Sequence, residues 1–235
     1  GIRIQNAVVG QNISLAFITG NIIKQCDKGI WLTKAPYSLI TQGNQVEFPN
    51  AVPSVTSIGI QVQNSEATLI DANAVLKLGA PPSNDSLLRE RLYGISVEYG
   101  SFNTNVSNNN LSRVGSGIHF YGTSNFPSAV NCNLLVQNMV GIRMNNSFIG
   151  DQGAGISVLN PDGVTHDNLF TFNGSSGQQT FYRNTSDPSF NWHCRTSTGV
   201  SPTTNPNMLT TMFPAFAMTM VSAFPNAPQA CYYQN

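Results

Sequence analysis

Trp31, His119 and Arg143 each stand third in a recurring tetrapeptide, Gly-Ile-x-apolar, so any strand built on it sets them in one outward-facing row. An indole, an imidazole and a guanidinium in a row suit stacking on sugar rings and hydrogen bonding to hydroxyls, the chemistry of a glycan-binding face. The plainer expectation for His119 and Arg143 is a solvated outer surface. Catalysis asks for more than this row offers. Hydrolysis of a glycosidic bond needs two carboxyl groups about 5–9.5 Å apart across one sugar. The 11 acids fall in different phases: Glu98 follows one tetrapeptide, Asp71 precedes an Asn turn, and Glu47 and Glu66 sit elsewhere. His193 lies near Asp187, but no nucleophile elbow accompanies it. The 4 cysteines, at 26, 132, 194 and 231, form no CxxC pair, and no His stands at zinc-ligand spacing, so neither a metal nor a cofactor is implied. Cys194 and Cys231 flank a Pro-rich tail that a disulfide between them would staple, whereas Cys26 and Cys132 lie in strand-like patterns as expected buried thiols.

The charge balance narrows the class of partner. Lys and Arg number 11, Asp and Glu 11, and charged residues make up 9% of the 235, against about 25% in ordinary soluble domains. A nucleic-acid partner is excluded because the cations are scattered and form no basic face. No apolar run reaches the roughly 18 residues of a membrane span. The polar remainder is uncharged, with 28 Asn beside 20 Gly. That mixture favours turns between short strands over helices.

The tetrapeptide recurs at residues 1, 29, 59, 94, 117 and 141, with spacings of 28, 30, 35, 23 and 24 residues. Between its copies runs an Asn followed by apolar residues: Asn21-Ile22-Ile23, Asn44-Gln45-Val46, Asn73-Ala74-Val75, Asn110-Leu111 and Asn133-Leu134-Leu135. A further alternating segment, such as Ala67-Thr68-Leu69-Ile70, precedes most of them, giving about three short strands per repeat. Such strands cannot bury a face alone and must stack. The expected fold is all-β, a right-handed parallel β-helix (solenoid) with an atypical C-terminal closing region. In it Ile2, Ile30, Ile60, Ile95, Ile118 and Ile142 form one inward column, and the apolar residues two positions on form the next. The Asn residues bond the turn backbone and the Asn of the neighbouring coil, and both Asn and the Gly before each Ile serve sharp bends. Leucine-rich repeats lack support, since no LxxLxL frame exists.

Residues 1–150 carry the coils, with a projecting Pro-rich loop at 79–86 and a charged cluster at Arg89, Glu90 and Arg91. Residues 151–200 read as atypical closing coils and 201–235 as a Pro-rich C-terminal strap. Gly1 falls inside a repeat, so the first coil is expected to meet the remainder of a longer parent chain or a neighbouring subunit.

The six tetrapeptides with their Asn-apolar partners resemble the parallel β-helix repeat families of secreted bacterial proteins, across residues 1–150. The runs Gly141-Ile142-Arg143-Met144-Asn145-Asn146, His166-Asp167-Asn168-Leu169-Phe170 and Phe190-Asn191-Trp192 resemble large surface proteins of Bacteroidota exported by type IX secretion. That resemblance implies an extracellular or cell-surface location, and Asp85-Ser86-Leu87 resembles the phylum's O-glycosylation site, at Ser86. The function expected is a non-catalytic stalk, adhesin or glycan-binding module of a larger protein. Parallel β-helices also host polysaccharide lyases and glycoside hydrolases, so a carbohydrate-active enzyme is the alternative, although the polygalacturonase signatures are missing. A scaffold within a secretion or motility assembly is the third reading.

Overall fold

A computed structural model describes residues 1–5, 16–80, 86–122, 128–147, 149, 168–171, 179–183, 191–193 and 219–221. The chain visits three all-parallel sheets in rotation. One sheet takes β1 (Ile2–Gln5), β4 (Lys28–Thr33), β7 (Ser57–Gln63), β10 (Leu92–Glu98), β13 (Ser116–Tyr121), β16 (Val140–Asn145) and β18 (Gln179–Arg183), in that spatial order. A second takes β2 (Phe17–Thr19), β5 (Leu39–Thr41), β8 (Leu69–Asp71), β11 (Asn105–Ser107) and β14 (Ala129–Asn131). The third takes β3 (Ile22–Lys24), β6 (Gln45–Phe48), β9 (Ala74–Lys77), β12 (Asn110–Ser112), β15 (Leu134–Val136) and β17 (Leu169–Thr171). Each pass through the three sheets is one level of a stack, an arrangement consistent with a parallel β-helix. β19 (Asn191–His193) and β20 (Thr219–Val221) pair separately, also in parallel.

The tetrapeptides build the first sheet. Ile2 pairs with Ile30, then Ile60, Ile95, Ile118 and Ile142 follow in unbroken register. The next inward column runs Ile4, Leu32, Val62, Val97, Phe120, Met144. From the second level upward every member of both columns is fully buried. Ile40, Ile70 and Val106 from the second sheet and Val46, Val75 and Leu111 from the third complete the core. Burying each such side chain contributes about 1.5–3 kcal/mol, which offsets the ordering of strands too short to be stable singly.

An asparagine ladder seals the turn between the second and third sheets. Each Nδ2 donates to the Oδ1 one level up: Asn21 to Asn44 (2.9 Å), Asn44 to Asn73 (2.8 Å), Asn73 to Asn109 (3.0 Å), Asn109 to Asn133 (3.0 Å) and Asn133 to Asn168 (2.8 Å). From Asn44 upward the same Nδ2 also donates to a carbonyl one level down, those of Ile18, Ile40, Ile70, Val106 and Val130. The left-handed conformation expected of these Asn belongs instead to the residues just before them. Gly20, Gly43, Ala72, Asn108 and Cys132 have φ of 66°, 81°, 54°, 54° and 57°. The bend is made by one residue, and the amide that seals it is supplied by a later one.

The tetrapeptide glycines are needed for close approach rather than for a bend. A Cβ on Gly59 would lie 2.6 Å from the Gly94 carbonyl oxygen, on Gly94 2.5 Å from that of Gly117, and on Gly117 2.7 Å from that of Gly141. None of these three has a positive φ.

The projecting loop ends in a short helix, α1 (Ser86–Arg91), which the strand-based reading does not anticipate. Leu88, 2% exposed, anchors it in the core cluster. Residues 81–85 lie outside the described set, and Ser86 opens the helix. Of the region expected to close the stack, β17 extends the third sheet and β18 the first. Most of the 201–235 strap lies outside the described residues. Cys132 is disulfide-bonded rather than a free thiol, and Cys26 is free. The Cys132 partner, Cys194, Cys231 and the bridge expected between the last two lie outside the described residues.

Candidate functional site

The register places the expected binding residues in one row on the outer face of the first sheet. Arg3, Trp31, Gln61, Ser96, His119, Arg143 and Tyr182 are successive partners across seven strands. His119 and Arg143 are direct neighbours. Trp31 is three strands from His119, about 14 Å at ordinary strand spacing.

The row divides into a covered part and an open part. His119 and Arg143 are 5% and 4% exposed, so the solvated or sugar-facing surface expected of them is corrected. The cause is α1. Arg143 Nη2 is bound by both Glu90 carboxylate oxygens at 2.8 and 2.9 Å, and its Nη1 donates to the Arg89 carbonyl at 3.3 Å. Tyr93 stacks on the imidazole, with ring centroids 4.4 Å apart and planes 17° from parallel, and donates its hydroxyl to the Glu90 carbonyl.

Beneath this cover runs a directed chain of hydrogen bonds. Arg143 Nε donates to Asn145 Oδ1 at 3.3 Å, which turns the Asn145 amide nitrogen toward His119 Nε2 at 3.2 Å. His119 Nδ1 lies 3.0 Å from Ser96 Oγ. Ser96 donates to Glu98 Oε1 at 2.8 Å, and Gln61 Nε2 donates to Glu98 Oε2 at 2.8 Å. Since Ser96 has one proton and gives it to Glu98, the imidazole proton belongs on Nδ1, facing Ser96, with Nε2 accepting from Asn145. Burial, and secondarily the Arg143 charge, lowers the His119 pKa to about 3, so the ring is neutral at ordinary pH.

Ser, His and Glu meet here without forming a nucleophilic set. In such a set the His accepts the serine proton and the acid orients the His. In this chain the acid takes the serine proton directly, both imidazole nitrogens are engaged, and Ser96 is fully buried. Both oxygens of Glu98, and both of Glu90, are likewise engaged. The arrangement is a clasp holding α1 on the sheet.

Sequence reasoning missed Gln61 and Ser96 although they occupy the same third tetrapeptide position. It also missed Glu90, Tyr93, Glu98 and Asn145 as partners, because only the register and α1 bring them together.

The open part is the Arg3–Trp31 end. Arg3 is exposed, and its guanidinium lies 4.3 Å from the Trp31 ring centroid; Lys28 Nζ lies 4.0 Å from it. Trp31 Nε1, Thr33 Oγ1 and Gln61 Oε1 are buried without hydrogen-bond partners. Elsewhere a cavity of about 300 Å³ is lined by Cys26, Asp27, Phe48, Val52, Pro53 and Leu92, among others. Burial raises the Cys26 thiol pKa above its usual value. Among the described residues no group of His, Cys, Asp and Glu could hold a metal ion, and no helix is long and apolar enough to cross a membrane.

Searches against family models, curated proteins and solved structures find no match to this chain.

Proposed function

We propose that the chain is a run of right-handed parallel β-helix coils that serves as a non-catalytic stalk or glycan-binding module of a larger extracellular bacterial protein. Right-handedness follows from the strong rule for parallel crossovers. The observation that carries the non-catalytic reading is the clasp on the outer face, where Ser96, Glu98, His119, Arg143 and Glu90 spend their hydrogen bonds on one another. Ser96, Glu98, His119 and Arg143 are buried as well as engaged, and Glu90, half exposed, has both oxygens held by Arg143, so all are poorly placed to meet a substrate. The ladder from Asn21 to Asn168 supports a rigid spacer, since every level is hydrogen-bonded to the next through side chains as well as backbone. A disulfide at Cys132 supports an oxidising, extracellular setting.

The first level supports a partner. β1, β2 and β3 are the outermost strands of their sheets, and Phe17 and Ile22 are 65% and 67% exposed there. The remainder of a longer parent chain or a neighbouring subunit would cover them.

The test is incubation of the purified chain with a panel of neutral and acidic polysaccharides, following new reducing ends and unsaturated products. No release is expected. Release that Glu98→Gln or Glu90→Gln abolishes, in variants that remain folded, overturns the non-catalytic reading in favour of a carbohydrate-active enzyme.

A further inference from the structure

Of the three residues expected to meet a glycan, Trp31 alone stands at an open part of the face, and its surroundings differ from those of a neutral sugar platform. Arg3 and Lys28 both lie over the indole, at 4.3 and 4.0 Å from its centroid. The ring quadrupole attracts each cation, but the two cations repel each other. Neither forms a salt bridge among the described residues, where the ion pairs are Lys24–Glu47 and Arg143–Glu90. The indole that a neutral pyranose would stack on is thus taken up by positive charge with no counter-charge among the described residues.

A second, independent observation lies beneath them. Trp31 and Gln61 are register partners on β4 and β7, and Thr33 lies two residues along β4 on the same outward face. Their Nε1, Oε1 and Oγ1 atoms are buried and unpartnered, although Gln61 as a whole is only 5% exposed. Buried polar atoms are paired in about nine cases of ten, so three orphans within one two-strand patch point to a missing polar partner. An indole N–H, an amide oxygen and a hydroxyl together match a group that both donates and accepts, which is a hydroxyl.

We propose that Arg3, Lys28, Trp31, Thr33 and Gln61 form a subsite for an acidic saccharide, a uronate whose carboxylate is held by the two cations and whose hydroxyls face Thr33 and Gln61. Arg3 is the moving part. It is exposed, and its side-chain partners are Gln5 on its own strand and the Trp31 ring, so it can turn to a carboxylate without disturbing the sheet. This inference rests on the glycan-binding form of the proposed function and names the ligand class for it.

The experiment titrates the full chain with trigalacturonate and with its methyl ester, which keeps every hydroxyl and loses the charge. Binding is read by calorimetry and by tryptophan fluorescence, with Trp31→Phe identifying the responding indole. Trigalacturonate is expected to bind with a Trp31-dependent fluorescence change. The ester and the Arg3→Gln/Lys28→Gln variant are each expected to bind at least about tenfold more weakly, as fits the loss of charge-assisted hydrogen bonds. Circular dichroism melting of each variant establishes that it is folded. No binding at millimolar ligand, binding unchanged by esterification, or a response that survives Trp31→Phe overturns the subsite. A null result here leaves the stalk standing, because that reading fails only on product release.

Discussion

Asn73 is tied to Asn109 on the next level by two hydrogen bonds to a single oxygen, Asn109 Oδ1, which accepts from the Asn73 side-chain amide at 3.0 Å and from its backbone N–H at 3.0 Å. One side chain therefore satisfies a turn that its own backbone does not form. The same pair of bonds joins Asn109 to Asn133 and Asn133 to Asn168, so the levels cannot slip past one another without breaking a side-chain bond at each turn.

Asn109→Ala removes the acceptor for both Asn73 groups and the donor to the Ile70 carbonyl, all of them buried. Leaving buried groups unpaired costs about 1–3 kcal/mol each, so a loss of about 3 kcal/mol or more is expected. Asn109→Asp keeps the shape and the acceptor but turns the donor into an oxygen facing Asn133 Oδ1, and should cost at least as much at neutral pH. Urea unfolding with m unchanged measures both; a loss under about 0.5 kcal/mol, typical of surface changes, would mean the ladder is decoration.

Gly94→Ala should destabilise by overpacking, by about 1–3 kcal/mol or more, since the new methyl carbon would stand 2.5 Å from the Gly117 carbonyl oxygen. Substitution of Gly43, around which nothing lies within 4 Å, tests a different property, because its φ of 81° strains any side chain regardless of space. Thermal melting of Gly94→Ala against Ala72→Gly separates the two effects. The latter replaces a strained Ala at φ 54° and is expected to be neutral or stabilising by up to about 1 kcal/mol.

The two isoleucine-headed columns and most of the ladder were legible because each depends on a short periodic motif whose members repeat in one phase. At the fourth level the ladder residue is Asn109 and not the expected Asn110, which opens β12 and is exposed, because three successive Asn leave the phase open. Ile30 and Ile60 meet as Gly-Ile spacing implies, and Asn44 and Asn73 meet as Asn-apolar spacing implies. The outer face was legible in direction and not in exposure. Alternation sets His119 and Arg143 pointing away from the core, but says nothing of what lies upon them. Their cover comes from Ser86–Arg91, whose Leu-Leu-Arg-Glu-Arg run consists of good helix formers, a weak local signal set among repeats that are all strands. The role of the tetrapeptide glycine was legible as a need for Gly, but its cause, contact between levels, is a tertiary one.

Glu90 holds α1 through a carboxylate whose side chain is 53% exposed, against 5% for the Arg143 it meets. Glu90→Gln leaves a buried guanidinium short of its counter-charge. Because half of the pair is solvated, the expected cost is about 1–2 kcal/mol, below that of a fully buried pair. The sharper readout is local: amide exchange across residues 86–91 should accelerate while that of β10 and β13 does not. Equal acceleration in all three would mean that α1 and the sheet open only together.

Cys26 should react slowly with thiol reagents at neutral pH, for burial raises its pKa and the Asp27 charge adds to the rise. Asp27→Asn is expected to shift the midpoint of the reaction profile to lower pH. A midpoint at the free-thiol value, unmoved by that change, would place the sulfur in open solvent.

His119 gives the fold a pH dependence whose sign follows from the native state holding the ring neutral. The native ring, held between Ser96, Asn145 and the stacked Tyr93, protonates only near pH 3, whereas in the unfolded chain it protonates near 6.5. Between those values the unfolded state binds a proton that the native state refuses, so acidification favours unfolding. The stability that the neutral ring contributes is therefore fully present above about pH 6.5 and is lost as pH falls toward 3, at on the order of 1 kcal/mol per unit. His119→Gln removes this titration while keeping a polar side chain. Subtracting the unfolding free energies of the variant from those of the parent across that window isolates the ring, and the difference should rise with pH. A flat difference would mean that His119 protonates in the native state as readily as in solvent, which neither its burial nor the Arg143 charge beside it permits.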